Sequence, residues 1–412
     1  MMTFIFRSLL FLMLAIGLFN CSAVSIASNI NSPESETGRD DDRRWSMKVL
    51  QRAEIDHRRY CAWLDTGCKS AAVHSLPGSM PFPNYSSQDA VITTGSGRVT
   101  RRIFRQVPSA IVGFPQMPLD IVATDMTVFA SCECWGIEAI IGMEYLRHFV
   151  LTIRGREGIS SLDRVLVRQP LGQRIPLSFR DGRPHLKLTM AGGFSQDVML
   201  DTGQGPSITF PAGSARRLVK SGHAMAVDEG TSFTLGGKVA KQAYLIRWSE
   251  IANVRFTDVR ASETEESHPA IGLGLLDHFN CVFDFPKQEA WLEPVSDDRV
   301  IRLEPDASGL VVGFGPDGLA LVRRLNAGYP AEIAKIEVGD ELVSLNGRSA
   351  REFSYLEIER ELSRTGKRVK LVLKRAEKTY AVDLKLARPY EYPPQWKPED
   401  ALLKTKFLPD DD

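Results

Sequence analysis

Two aspartates stand out for the company they keep. Asp65 opens Asp65-Thr66-Gly67 and Asp201 opens Asp201-Thr202-Gly203, 136 residues further on, and each follows an apolar run ending in leucine. A strand that ends in this triplet sets a carboxylate at a buried boundary. The threonine hydroxyl can bond across that boundary, and glycine lets backbone and substrate approach closely. Two such triplets facing one another would bring two carboxylates within a few ångströms. Like charges so close cannot both ionise easily, so they share a proton and titrate as a coupled pair. One carboxylate can then take a proton from water while the other protonates a substrate carbonyl. This chemistry implies no metal and no organic cofactor.

The elements that must hold these residues repeat along the chain. Cys61–Gly67 returns as Asp197–Gly203, and Ile141–Phe149 returns as Ile271–Phe279 at an offset of 130 residues. Two motifs recurring in one order, at nearly one offset, mark an internal duplication. Each copy reads as mostly β. The alternating stretches 49–64 and 175–200 carry turn residues at hairpin spacing: Asp56-His57 in the first, Asp181-Gly182 and Gly192-Gly193 in the second. Gly95–Gly97 and Gly236-Gly237 mark one further hairpin in each copy, and short helices are expected near 143–148 and 273–278. The expected units are two related β lobes, 46–157 and 160–300.

Over 46–300 the chain resembles the retropepsin-like aspartic proteases in their bacterial, two-lobed form. The resemblance rests on Leu64-Asp65-Thr66-Gly67, Leu200-Asp201-Thr202-Gly203 and the apolar-apolar-glycine elements Ile140-Ile141-Gly142 and Ala270-Ile271-Gly272. It implies a mostly β fold of two tandem acid-protease β-barrel lobes, with the apolar-apolar-glycine elements packed behind the catalytic loops. It implies Asp65 and Asp201 as the catalytic pair, supported by Thr66, Gly67, Thr202 and Gly203, and a flap at about Thr93–Gly97. Because both triplets lie in one polypeptide, a monomer should suffice. The family usually has Ala, Ser or Thr after the glycine; this chain has Cys68 and Gln204.

From Ser308 the pattern changes. Gly309-Leu310-Val311-Val312, the segment Gly339–Gly347 (Gly-Asp-Glu-Leu-Val-Ser-Leu-Asn-Gly), a helical stretch 355–362 and strands near 369–374 and 380–386 follow in turn. Over 306–389 this resembles a bacterial PDZ domain, an α+β unit, although Lys335-Ile336 replaces the usual Ala-Gly. The resemblance implies a peptide bound by strand addition at Gly309, Leu310, Val311 and Val312, beside the helix 355–362. Backbone amides there would take the terminal carboxylate.

The ends and the overall charge set the context. Residues 1–27 read as a signal peptide: Arg7 precedes an apolar run, Leu9–Phe19, too short to span a bilayer comfortably, and small residues follow. This places the chain in the periplasm, cell envelope or outside, or membrane-anchored if the signal is not cleaved. Residues 28–45 read as a flexible leader and 390–412 as a Pro- and charge-rich tail. Lys plus Arg and Asp plus Glu balance at 51 each, so no basic field exists to hold nucleic acid.

Some signals are set aside. Gly313, Gly315 and Gly318 match a dinucleotide fingerprint by spacing, but the residues after them look like a strand rather than a helix. Neither a Gly-x-Ser-x-Gly elbow nor a His-Glu-x-x-His pair occurs. Cys61, Cys68, Cys132 and Cys134 could hold zinc, but a disulfide in the first copy is the better expectation for an exported chain. Cys281, inside an apolar strand, reads as a buried free thiol. Together these features point to an exported aspartic endopeptidase acting on proteins or peptides, with a PDZ domain for peptide binding. The alternative is a catalytically inactive peptide-binding or scaffold protein of the cell envelope.

Overall fold

The computed structural model describes residues 49–130, 137–155, 159–166, 168–205, 207–303, 306–314 and 318–391. The expected signal peptide and leader lie outside the described residues, as do Cys132, Cys134 and the tail beyond Glu391.

The first copy forms a seven-stranded sheet. Its spatial order is Leu50–Ile55, Arg58–Leu64, Ala139–Ile141, Ala71–His74, Met117–Thr124, Gly97–Ile111 and Ser87–Thr94. The second copy repeats that order with Arg183–Met190, Phe194–Leu200, Ala270–Ile271, Ile208–Pro211, Val254–Thr264, Gly237–Ile251 and Ala224–Thr234. Strand directions match as well. Arg58–Leu64 runs parallel to Ala139–Ile141, as Phe194–Leu200 does to Ala270–Ile271. The duplication visible in two short motifs therefore extends through both sheets. The second sheet adds Ser178–Arg180 and Val300–Arg302 at its margins.

The turns follow from their residues. Asp56 and His57 adopt φ of 47° and 62°, and Asp181 and Gly182 adopt 50° and 76°, the left-handed pairs that two-residue hairpins require. The short helices Met143–Leu146 and Leu273–Leu276 lie within the stretches expected from sequence. Ala215–Lys220 was not expected, because one and a half turns leave too few apolar positions to show a period.

A five-stranded sheet joins the copies, and at its centre Val150–Arg154 pairs antiparallel with Phe279–Asp284, one strand from each. Ile159–Asp163 folds back on Val150–Arg154, so this hairpin straddles the 157/160 boundary expected from sequence. Leu64, Leu151, Leu200, Phe279 and Phe283 are fully buried in one continuous core. Burying each such side chain contributes about 1.5–3 kcal/mol, so the copies are held by shared apolar contact.

A fourth sheet runs Leu310–Phe314, Ala320–Leu325, Glu341–Leu345, Arg368–Arg375, Lys378–Lys385, with Arg348–Ser349 paired beside Glu341–Leu345, and it has its own core. The helix Tyr355–Leu362 buries Tyr355, Ile358 and Leu362, at i, i+3 and i+7, against that core. Ser354 and Glu357 close its first turn as a reciprocal capping box. After Gly318 the chain enters the strand Ala320–Leu325, so the glycine fingerprint opens no helix.

Candidate active site

Asp65 and Asp201 each leave the end of a buried strand. The parallel neighbour fixes each in place: Asp65 N–H donates to Ile141 O and Asp201 N–H to Ile271 O, both at 3.0 Å. Behind the first loop, a Cβ on Gly142 would sit 2.3 Å from Ser70 O and 2.6 Å from Cys68 O. That close approach explains the glycine in Ile140-Ile141-Gly142.

The two loops interlock through their threonines. Thr66 N–H donates to Thr202 Oγ1 and Thr202 N–H to Thr66 Oγ1, each at 3.0 Å. Thr66 Oγ1 donates to Leu200 O, and Thr202 Oγ1 to Leu64 O, each at 2.7 Å. Both threonines are fully buried. The interlock brings the aspartates together. A Cβ on Gly67 would lie 2.3 Å from Asp201 Cγ, and one on Gly203 would lie 2.4 Å from Asp65 Cγ. Each carboxylate thus packs against the glycine of the opposite loop. Asp65 Oδ1 accepts from the N–H groups of Gly67 (2.9 Å) and Cys68 (3.1 Å), and Asp201 Oδ1 from Gly203 N–H (2.8 Å).

The copies differ beside this symmetric centre. Trp63 Nε1 donates to Thr202 O at 3.2 Å, where the second copy has Met199. The Cys68 thiol donates to Ser70 O at 3.0 Å. Burial pushes this thiol well above its usual range, and the charges of Asp65 and then Asp201 push it further; Arg183 opposes them. Gln204 Oε1 accepts from Thr209 Oγ1 at 2.8 Å. Cys68 and Cys281 are free thiols. Among the described residues no group of His, Cys, Asp or Glu forms a metal cluster.

Two hairpin tips line one cavity with the carboxylates where sequence suggested one flap. Thr94–Gly97 and Thr234–Gly237 meet through Ser96 Oγ and Thr234 Oγ1, 2.6 Å apart. Lys241 Nζ donates to Gly95 O at 2.6 Å, and Arg101 donates to Leu235 O at 3.2 Å. Arg101 and Lys241 each stand four residues after the hairpin's last glycine, Gly97 or Gly237. Aligning the two hairpins would have shown these matched cations.

In the third unit, Leu310–Phe314 lies at the sheet edge and the helix Tyr355–Leu362 runs beside it. Gly309, with φ of 78°, is required at the head of this strand, since a Cβ would meet Tyr329 Cβ at 2.2 Å. Compared with known families, residues 300–374 match the PDZ domain. Residues 300–374 are a PDZ domain. No curated protein matches the chain. The PDZ fold continues past the match through Lys378–Lys385, which pairs along Arg368–Arg375. At the other end Val300–Arg302 pairs instead with Val254–Thr264 of the second copy.

One cavity of about 1390 Å³ connects these parts. Asp65, Asp201 and the hairpin tips line it, and so do Leu310, Val311, Tyr355 and Glu359 of the PDZ domain. Of the four residues expected at the peptide groove, Leu310, itself buried, and half-buried Val311 line this cavity, whereas Gly309 and Val312 do not.

Proposed function

We propose that this chain is an exported, retropepsin-like aspartic endopeptidase whose PDZ domain binds the polypeptide being cut. The observation that carries the reading is the crossed Thr66/Thr202 interlock, with each aspartate packed on the glycine of the other loop. A proton shared across such a pair lets one carboxylate deprotonate a water while the other protonates the scissile carbonyl, giving a tetrahedral intermediate. The roles then reverse as the amine leaves. Backbone N–H bonds to Asp65 and Asp201 hold both carboxylates in place, so little reorganisation accompanies reaction. The paired hairpin tips would exclude water above an extended peptide.

The test is cleavage of a diverse peptide pool by the chain lacking residues 1–27, at several pH values, with sites read by mass spectrometry. The reading expects cleavage, inhibition by a statine-type mimic of the tetrahedral intermediate, and loss of turnover in Asp65→Asn and in Asp201→Asn. Mixing the two variants should restore nothing, because neither chain holds an intact pair. An uncut pool would favour the rival reading, a cell-envelope scaffold that binds peptides through its PDZ domain.

A further inference from the structure

The loop that opens the PDZ groove already holds a carboxylate of its own chain. Asp306 Oδ1 accepts from Ser308 N–H at 2.9 Å and from Ser308 Oγ at 2.7 Å, and its Oδ2 accepts from Gly309 N–H at 2.8 Å. Ser308 Oγ in turn accepts from Leu310 N–H at 3.0 Å. Three successive N–H groups at the head of the groove strand are therefore satisfied from within. Such a run of amides is what a backbone nest offers to an incoming carboxylate. The loop has little freedom to present others. Ala331 N–H donates to Ser308 O at 2.9 Å and Asn326 N–H to Gly309 O at 2.8 Å, while Gly309 packs on Tyr329. Burial raises the Asp306 carboxyl above its ordinary value, opposed by the bonds from Ser308 and Gly309 and, last, by the charge of Arg260 from the second copy.

We propose that Asp306 stands in for a ligand's terminal carboxylate, so that the PDZ groove takes an internal extended segment of a polypeptide rather than a free C-terminus. A second carboxylate brought to this loop would meet the Asp306 carboxyl and find the N–H groups of Ser308, Gly309 and Leu310 already bonded, a costly pairing in a partly buried site. An internal segment makes no such demand, because strand addition along Leu310 and Val311 needs only main-chain groups. The surroundings agree. Asp306, Leu310, Val311 and Tyr355 line the cavity that also holds Asp65 and Asp201. A chain that continues past the groove at both ends can reach that pair. This last step rests on the endopeptidase reading above; the preference for internal segments does not.

The probes are fluorescent decapeptides ending in two apolar residues, made with a free carboxylate, with a terminal amide, and as a head-to-tail cycle. Binding is followed by anisotropy on the full chain carrying Asp65→Asn, so that the probes stay intact. The expected result is free-acid and amide affinities within about twofold, with the cycle still bound. Asp306→Asn keeps the side chain's shape and removes its charge; it and Asp306→Ala should each give at least a tenfold preference for the free acid. A tenfold preference already present before substitution would overturn the proposal and point to Arg323 or Arg324, which line the same cavity, as the carboxylate receptor. Absence of a gained preference in both folded variants would overturn it too, as would failure of all three probes to bind. Cleavage of short peptides by the unsubstituted chain is scored separately, so either reading can fail without the other.

Discussion

Replacing Thr66 by valine probes the interlock with almost no change of shape. The substitution removes one hydroxyl that accepts from Thr202 N–H at 3.0 Å and donates to Leu200 O at 2.7 Å. Both threonines are fully buried, so water cannot replace the lost partner. An orphaned buried N–H costs about 1–3 kcal/mol, and a carbonyl that loses a donor costs less, giving about 2–4 kcal/mol for Thr66→Val. Thr66→Ser keeps the hydroxyl and loses one methyl, worth about 1 kcal/mol. Valine should therefore be worse than serine, the reverse of what packing alone would give. Thr202→Val should match Thr66→Val, because its bonds are the same with the copies exchanged. Both substitutions loosen one joint, so the double variant should cost less than the sum. Urea unfolding followed by tryptophan fluorescence measures this. All six tryptophans lie outside residues 300–374, and four of them (Trp63, Trp135, Trp248 and Trp291) fall within the two copies, so the signal reports chiefly on the copies. A Thr66→Val variant within about 0.5 kcal/mol of the parent, or a serine variant less stable than it, would refute the reasoning.

Three further expectations follow from single contacts. Gly67→Ala and Gly203→Ala each drive a methyl into the opposite carboxylate and should lower peptide cleavage at least about 100-fold while circular dichroism stays unchanged; near-normal turnover would contradict the packing. Cys68, held in its thiol form by burial and two nearby carboxylates, should resist iodoacetamide at pH 8 until the chain is unfolded in urea; rapid labelling of the folded protein would contradict this. In the PDZ domain, hydrogen bonds from Arg375, with Tyr380 and the Glu337 N–H, hold the Asp340 carboxyl down at about 2 from an ordinary 3.8. A depressed carboxylate adds stability that is present above its unfolded value and lost as pH falls through the folded one. Asp340→Asn should therefore cost about 2 kcal/mol at pH 7, and the gap should close between about pH 4 and pH 2; a pH-independent gap would refute it.

Much of this arrangement was legible because duplication turns weak signals into a pair. One Asp-Thr-Gly says little, but Asp65 and Asp201 each follow a buried strand and precede an apolar-apolar-glycine element. The hairpins were legible from residues that tolerate positive φ, such as Asp56 and Gly182. What was not legible lies in contacts between distant residues. No local pattern announces that Lys241 will bond Gly95, because that bond exists only once the two sheets face each other. The orientation of the Cys68 thiol toward Ser70 was hidden for the same kind of reason: it depends on loop geometry, not on residue type. Asp306 is not visible in the sequence because a lone aspartate before Ala-Ser-Gly reads as an ordinary turn residue until its carboxyl is seen filling the groove loop.

Where the copies agree and where they differ is itself informative. Thr66 matches Thr202 and the two bond to each other across the joint, while Gly67 matches Gly203 and each packs against the aspartate of the opposite loop. A change in one threonine would leave the other without its mate, and a side chain on either glycine would displace the aspartate opposite. Trp63 against Met199, Cys68 against Gln204 and Gly95 against Leu235 differ between the copies and do not bond to their own counterparts: Trp63 donates to Thr202 O, Gly95 O accepts from Lys241, and Leu235 O accepts from Arg101. A polypeptide has direction, so its two flanks present different chemistry to the two copies. On the endopeptidase reading, a site assembled from two identical chains must offer both flanks the same wall, whereas this chain need not. The symmetric residues then hold the carboxylates together, and the asymmetric ones are where substrate preference should be sought. Exchanging Met199 for tryptophan, which would restore symmetry beside the pair, should alter which peptides of the pool are cut without abolishing cleavage.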